Sequence, residues 1–129
     1  MLTAPPSILI TDDDDGFRET VCGVLAPHGY QTLTASDGEE AVEIVRSREV
    51  HLVLLDVHMP RLGGLETLRR VKEMKALLPC IILSARLDEM IERQARLAHA
   101  FSVLPKPVGS QQLRNVVAQA FRRTYNWPA

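Results

Sequence analysis

Short runs of consecutive apolar residues alternate along this chain with longer segments in which apolar residues recur every three or four positions. Apolar runs without polar alternation are typical of strands that are covered on both faces of a sheet. We predict five such strands, of which the second is the weakest, at Ile8–Thr11, Tyr30–Thr34, His51–Leu55, Cys80–Leu83 and Phe101–Leu104.

Helical segments follow the strands, and each has one apolar face. The residues predicted to face inward are Phe17, Val21, Val24 and Leu25; Ala41, Ile44 and Val45; Leu65, Leu68 and Val71; and Leu113, Val116, Val117, Ala120 and Phe121. A less regular helix is predicted from about Asp88 to Leu97. Residues Pro60, Gly63 and Gly64 mark a loop before the third helix.

Residues with special backbone preferences indicate where several helices begin and end. Pro27 and Gly29 are expected to end the first helix. The segment Ser36–Glu39 has the spacing of a capping box for the second, and Ser110 is the expected cap of the last. Five strand–helix units with short connections predict a doubly wound parallel α/β sheet with helices on both faces.

Polar residues follow four of the five predicted strands. Asp12 and Asp13 follow the first strand, Asp56 the third, Ser84 the fourth and Lys106 the fifth. In open parallel sheets, ligands bind beyond the carboxyl ends of the strands, where the strand order reverses. We therefore expect these side chains to converge on one crevice.

Three carboxylates in one crevice repel each other and need a cation, because charge in a partly buried site is poorly screened. Oxygen ligands without His or Cys at metal-binding spacing favour a hard ion, Mg²⁺ or Mn²⁺. Such a set suits phosphoryl transfer, in which a carboxylate can be the nucleophile. Lys106 would supply a point charge to the phosphoryl oxygens, and the Ser84 hydroxyl could donate a hydrogen bond.

Each of these residues also has a simpler interpretation when it is taken alone. A single Asp at a strand end is often a turn former or a helix cap. The run Asp12–Asp15 could be a solvated helix start that favours the helix dipole, and this interpretation suits Asp14 and Asp15. The order of the whole set, with each member at its own strand end, favours the shared site.

Composition narrows the classes of function that the chain can have. Its 129 residues suit one core, and a formal net charge of −1 gives no basic face for nucleic acid. No apolar stretch approaches the roughly 20 residues of a membrane span, and the first residues do not form a secretory signal. Cys22 and Cys80 lack metal-binding spacing and are expected to be buried small hydrophobes. We therefore expect a cytoplasmic protein.

Four segments together resemble the receiver domain of two-component response regulators. They are Ile8–Asp14, Leu54–Pro60 together with Gly64, Ile81–Ala85 and Leu104–Pro107. The resemblance runs from about Ser7 to Phe121, and the combination is highly specific although no single segment is. It implies one receiver domain over residues 1–129, with a core at about 7–121, and the flavodoxin-like strand order 2-1-3-4-5. Residues 122–129 would be a tail or the start of a linker.

The resemblance also implies a role for each site residue. Asp56 would be the phospho-acceptor. A magnesium ion would be held by Asp12, Asp13, Asp56 and the backbone carbonyl of His58, with Asp13 the expected direct ligand of the acidic pair. Ser84 and Lys106 would contact the phosphoryl group. The peptide bond between Lys106 and Pro107 would be cis, which proline allows at low cost.

By the same resemblance, the phosphoryl donor is a sensor histidine kinase or a phosphotransfer protein of a phosphorelay. The chain would catalyse only its own phosphorylation and slow autodephosphorylation, and would signal by a change of conformation. We expect a monomer or weak dimer without direct nucleic-acid or membrane binding. The sequence leaves open whether the output is a downstream protein or a fused domain, and whether Trp127 packs back on the domain or belongs to a partner interface.

Several positions depart from the family pattern or flank the site. Val103 stands where the family usually has an aromatic switch residue that moves together with Ser84. Phe101 has the same strand parity as Val103, so it is predicted to point to the same side as a fixed core residue. His99 stands in a turn that is commonly Gly- or Ala-rich. His58 and Arg86 each follow a site residue by two positions, and we predict that they tune the lifetime of the phosphorylated state.

Three other classes of function compete with this interpretation. A phosphatase or mutase with an Asp-x-Asp motif would need a second Asp where His58 stands. A flavin-binding carrier of the same topology would need small phosphate-cradling residues after the first strand, where the acidic run Asp12–Asp15 stands instead. The remaining alternative is a degenerate receiver that acts as a phosphorylation-independent protein-binding module.

Overall fold

A computed structural model describes residues 5–127 of the chain. The strands are β1 (Ser7–Thr11), β2 (Gln31–Ala35), β3 (Leu52–Asp56), β4 (Cys80–Ser84) and β5 (Ser102–Pro105). The helices are α1 (Asp15–Leu25), α2 (Gly38–Ser47), α3 (Gly64–Met74), α4 (Glu89–Leu97) and α5 (Ser110–Tyr125), with a 3₁₀ turn at Ala26–His28. Residues 1–4 and 128–129 of the predicted domain lie outside this description.

All strands of the sheet are parallel, in the order β2-β1-β3-β4-β5. The predicted α/β fold and strand order are confirmed. The chain returns to the centre of the sheet between β1 and β3, which places the ligand crevice of such folds beyond the ends of these two strands. No helix within residues 5–127 is long and apolar enough to cross a membrane.

Successive side chains of the central strands enter two separate cores. Ile8 and Ile10 of β1 pack on the side of α1 and α5, whereas Leu9 between them packs on the side of α2, α3 and α4. The same alternation holds in β3, where Leu54 and Leu55 belong to opposite cores. Burial on both faces explains why these strands are continuous apolar runs in the sequence.

The parity prediction for Phe101 is wrong. Phe101 packs against the α1–α5 core, whereas Val103 packs against the α2–α3–α4 core. The reason is that β5 begins at Ser102, so Phe101 lies in the bend before the strand and does not follow its alternation. His99, in the turn after α4, has left-handed backbone with φ of 64°.

Two of the predicted helix caps are also corrected. The N-cap of α2 is Asp37, whose side chain accepts a hydrogen bond from the Glu40 amide, and Glu40 reaches back to the Ser36 amide at 2.7 Å. The capping interaction is therefore displaced by one residue from Ser36–Glu39. The N-cap of α5 is Gly109 without a side-chain hydrogen bond, because Ser110 is already the first helical residue.

The end of α5 turns back on the domain. Asn126 adopts left-handed backbone with φ of 57°, which ends the helix. The Trp127 ring then stacks on Tyr125 at 4.2 Å and lies edge-on to His51 at 5.2 Å. Of the two roles that the sequence left open for Trp127, packing on the domain is the one that the structure shows.

Candidate functional site

Three carboxyl groups meet at the ends of β1 and β3. Asp12 follows β1 and is buried, Asp13 beside it is exposed, and Asp56 is the buried last residue of β3. One oxygen from each of these groups lies within 4.8 Å of the others. The structure therefore brings together the three acidic residues that the sequence placed at separate strand ends.

Backbone and side-chain hydrogen bonds hold Asp12 in place. Its amide donates to the Ala35 carbonyl of β2 at 3.1 Å, and its Oδ1 accepts from the Asp14 amide at 2.9 Å. Nη1 of Arg18, on the first turn of α1, donates to the Asp12 carbonyl at 2.6 Å. Sequence reasoning missed Arg18, because nothing in its spacing shows that the side chain turns back over the end of β1.

Lys106, directly after β5, provides the cation of this site. Its Nζ lies 2.5 Å from Asp12 Oδ2 and 3.2 Å from Asp56 Oδ1. Its amide donates to the Ser84 carbonyl at 2.8 Å, which ties the loop to the end of β4. The peptide bond between Lys106 and Pro107 is cis in the structure.

Burial and neighbouring charges shift the pKa values of two residues of the site, Asp56 and Lys106. Burial raises the pKa of Asp56, the charge of Asp12 raises it further, and Lys106 opposes both effects. Burial by itself would lower the pKa of Lys106, but its hydrogen bond to Asp12 and the charge of Asp56 outweigh burial and raise it. The single positive charge of the Lys106 ammonium does not balance the negative charges of three carboxylates. A set of ligands that consists only of oxygen atoms fits a hard divalent cation.

Ser84 ends β4 beside this cluster and is buried. Its Oγ accepts a hydrogen bond from the Arg86 amide at 3.1 Å and lies 3.4 Å from Nε2 of His58. The structure thus brings His58 next to Ser84. The Arg86 side chain is exposed and makes no hydrogen bond or ion pair within residues 5–127.

The loop that carries His58 is held close to β3 by a glycine. A Cβ on Gly64, the first residue of α3, would lie 2.1 Å from the Asp56 carbonyl oxygen. The Gly64 amide donates to the Val57 carbonyl at 3.0 Å. Only glycine permits this approach, so Gly64 serves the site by packing and does more than mark a loop.

Val103 lies in the middle of β5 and pairs with Ile82 of β4. It is half-buried and contacts the α2–α3–α4 core. The structure therefore places this predicted switch-related residue two strands away from Asp56, with β4 between them, and two residues before the end of its own strand.

Comparisons with known proteins agree with this geometry. The family model described as response regulator receiver domain matches residues 8–118. The response regulator MprA of Mycolicibacterium vanbaalenii is 40% identical over 121 residues, covering 93% of this chain and 52% of that protein. MprA of Mycobacterium ulcerans is 41% identical over 118 residues, covering 91% of this chain and 50% of that protein. The chain thus spans about half the length of these curated relatives.

Solved structures show the same architecture. A receiver domain from Clostridium thermocellum superposes with a TM-score of 0.86 at 30% identity, over 92% of this chain and 95% of that one. The complex of CheX with CheY, BeF₃ and Mg²⁺ from Borrelia burgdorferi gives 0.87 at 26% identity, over 92% and 90%. With the family match and the strand-end cluster, these likenesses show that the chain belongs to the response regulator receiver domain family, the phosphorylation-dependent signalling domains of two-component systems.

Proposed function

We propose that Asp56 accepts a phosphoryl group from a sensor histidine kinase or a phosphotransfer protein. The observation that carries this proposal is the placement of Asp56 at the end of β3, inside the three-carboxylate cluster and 3.2 Å from the Lys106 ammonium. Burial and the charge of Asp12 raise the pKa of Asp56, while Lys106 opposes both effects, so the added negative charge of a phosphoryl group requires Lys106 and a cation beside it.

The transfer is a simple displacement at phosphorus. An Asp56 carboxylate oxygen forms a bond to phosphorus while the bond from phosphorus to the donor's imidazole nitrogen breaks, and the imidazole leaves with that electron pair. In this proposal Lys106 would contact one phosphoryl oxygen, and the Ser84 hydroxyl would donate a hydrogen bond to another. Catalysis of this kind consists mostly of positioning and charge neutralisation.

The residues of the site fit a magnesium ion, with manganese as a substitute. The carboxylates of Asp12, Asp13 and Asp56 and the backbone carbonyl of His58 would hold it, with Asp13 as the direct ligand of the acidic pair. When bound, Mg²⁺ neutralises the carboxylates and the phosphoryl oxygens. The likeness to a CheY that is complexed with BeF₃ and Mg²⁺ supports this assignment.

We further propose that the chain is one receiver domain with its core at about residues 7–121. It catalyses its own phosphorylation and slow dephosphorylation and no reaction on another substrate. Its output passes to a downstream protein or to a fused domain, such as the part of the MprA relatives that this chain does not cover, and the domain acts as a monomer or weak dimer. Both cysteines are free thiols, which suits a reducing compartment such as the cytoplasm.

The experiment is phosphorylation by acetyl phosphate, followed by intact mass spectrometry. We expect one added phosphoryl group with Mg²⁺ or Mn²⁺ and none in chelator. Asp56→Asn should abolish the addition, whereas Asp15→Asn should keep it, because Asp15 belongs to the same acidic run but lies outside the cluster of three. Equal labelling of Asp56→Asn and wild type would refute the assignment, and no labelling of wild type would favour a phosphorylation-independent binding module.

A further inference from the structure

We infer that Phe17 is a positioning residue of the phosphorylation site, whose aromatic face holds the Lys106 ammonium between Asp12 and Asp56. The Lys106 Nζ lies 4.1 Å from the centroid of the Phe17 ring. This distance is well within the roughly 6 Å over which a cation is attracted to the negative face of an aromatic ring. The effect on reaction rate rests on the proposed function, but the contact itself does not.

The ammonium is enclosed on several sides. Asp12 Oδ2 lies at 2.5 Å and Asp56 Oδ1 at 3.2 Å, and the ring of Phe17 is the third partner. Only 16% of the Lys106 side chain is exposed, so little water competes for it. Cation–π attraction is stronger when the cation is desolvated, as it is here.

Local structure determines where the ring lies. Asp14 is the N-cap of α1, and its Oδ1 accepts a hydrogen bond from the Phe17 amide at 3.1 Å. Phe17 is half-buried and packs against the α1–α5 core. The acidic run therefore has two functions, because Asp12 contributes a carboxylate to the site and Asp14 places the ring that contacts Lys106.

The chemical consequence concerns the approach of the phosphoryl group. A lysine side chain has four rotatable bonds, and confining it costs rotamer entropy. A ring that confines the ammonium before the donor arrives removes part of that cost from the reaction. Unlike a carboxylate, the ring does not compete with the phosphoryl oxygens for hydrogen bonds, so the ammonium can turn towards them without leaving it.

The first test measures the contact in the unphosphorylated protein. Protons that lie over an aromatic face resonate upfield, so the Lys106 side-chain protons should be shifted upfield in the NMR spectrum of the wild type. Phe17→Leu should abolish the shift, whereas Phe101→Leu should keep it. Phe101 is a matched control, because it is also half-buried against the α1–α5 core. In Asp56→Asn the shift should persist, so failure of this contact and failure of the proposed function give different results.

The second test measures the rate of phosphorylation by acetyl phosphate with Mg²⁺. Mono-, di- and trifluorinated phenylalanine, introduced at position 17 alone, nearly preserve the ring shape while making its face progressively less negative. We expect the rate to fall stepwise along this series, to fall about two- to fivefold in Phe17→Leu, and to be kept in Phe17→Tyr. An unchanged Lys106 shift in Phe17→Leu, or equal rates along the fluorinated series, would overturn the inference.

Discussion

At the scale of single residues, the contact between His58 and Ser84 is the observation on which we base our prediction for the lifetime of the phosphorylated state. His58 Nε2 lies 3.4 Å from the Ser84 hydroxyl, and the Arg86 amide donates to the same hydroxyl at 3.1 Å. Both residues are exposed, so both side chains are free to lie over a phosphoryl group on Asp56. The lifetime role that we predicted for them stays a prediction.

We expect His58→Ala to lengthen the lifetime severalfold, because an imidazole at this place can position the attacking water. Arg86→Ala should shorten it severalfold, because the guanidinium would shield the phosphoryl oxygens from water. Arg48→Ala is the control, since Arg48 lies before β3, at the opposite end of that strand from Asp56. Loss of label over time after removal of the donor measures all three, and unchanged lifetimes in both site variants would contradict the prediction.

At the scale of elements, the segment from Ser84 into α4 is the part of the fold best placed to carry the signal. Ser84 ends β4, and Asp88 caps α4 by accepting a hydrogen bond from the Ile91 amide at 2.8 Å. Val103 on the neighbouring strand is β-branched and has few rotamers, so it cannot swing as a large aromatic side chain can. We therefore expect the response to concentrate in the segment Ser84–Glu92, with little change in β5.

Beryllofluoride, a stable phosphoryl mimic, should change amide exchange mainly at residues 84–92 and little around Val103. A ligand can only bias conformations that differ in their affinity for it, so exchange should report two interconverting states. Val103→Ala should leave the response nearly unaltered, as should Val116→Ala, a half-buried valine of α5. Loss of the response in Val103→Ala alone, with phosphorylation intact, would make Val103 a switch residue and contradict this account.

At the scale of the whole molecule, we expect the site to lower the free energy of unfolding when no metal is bound. The carboxylates of Asp12, Asp13 and Asp56 lie close together, and Lys106 provides a single positive charge against them. Because the pKa of Asp56 is raised from its ordinary value of 3.8, the folded chain holds the proton at pH values where the unfolded chain has released it. Folding is therefore favoured by this group below pH 3.8, and that contribution is lost as the pH rises through the raised pKa.

Removal of one negative charge should consequently stabilise the metal-free protein. We expect Asp13→Asn and Asp56→Asn to raise the melting temperature in chelator at neutral pH, and the gain of Asp56→Asn to disappear below about pH 3.8. In wild type, Mg²⁺ at about 100 times its Kd should add about 2.7 kcal/mol by mass action. Asp15→Asn, outside the cluster, is the control and should not raise the melting temperature. Identical melting curves in chelator and in magnesium would contradict a metal site.

The sequence by itself determined the parallel sheet and predicted which polar residues meet at the ends of its strands. Strands that are buried on both faces are continuous apolar runs, so β1, β3 and β4 could be predicted from the sequence alone. Parallel strands bring their carboxyl ends to one edge, so residues as far apart in the chain as Asp12 and Lys106 could be assigned to one crevice. The first residues of helices were predicted less well. The N-caps are Asp37 and Gly109, each one residue away from the predicted Ser36 and Ser110, because assignments of helix ends from sequence are uncertain by one or two residues.

The tertiary structure alone decided the contacts that refine the site. The Arg18 bond to the Asp12 carbonyl, the Phe17 ring at Lys106 and the approach of His58 to Ser84 each depend on how a side chain leaves its own element. The side of the sheet that Phe101 occupies depended on where β5 begins. Hydrophobic periodicity reports which face of an element is buried, but it carries no information about which distant residue meets that face, because that is settled only when the elements pack.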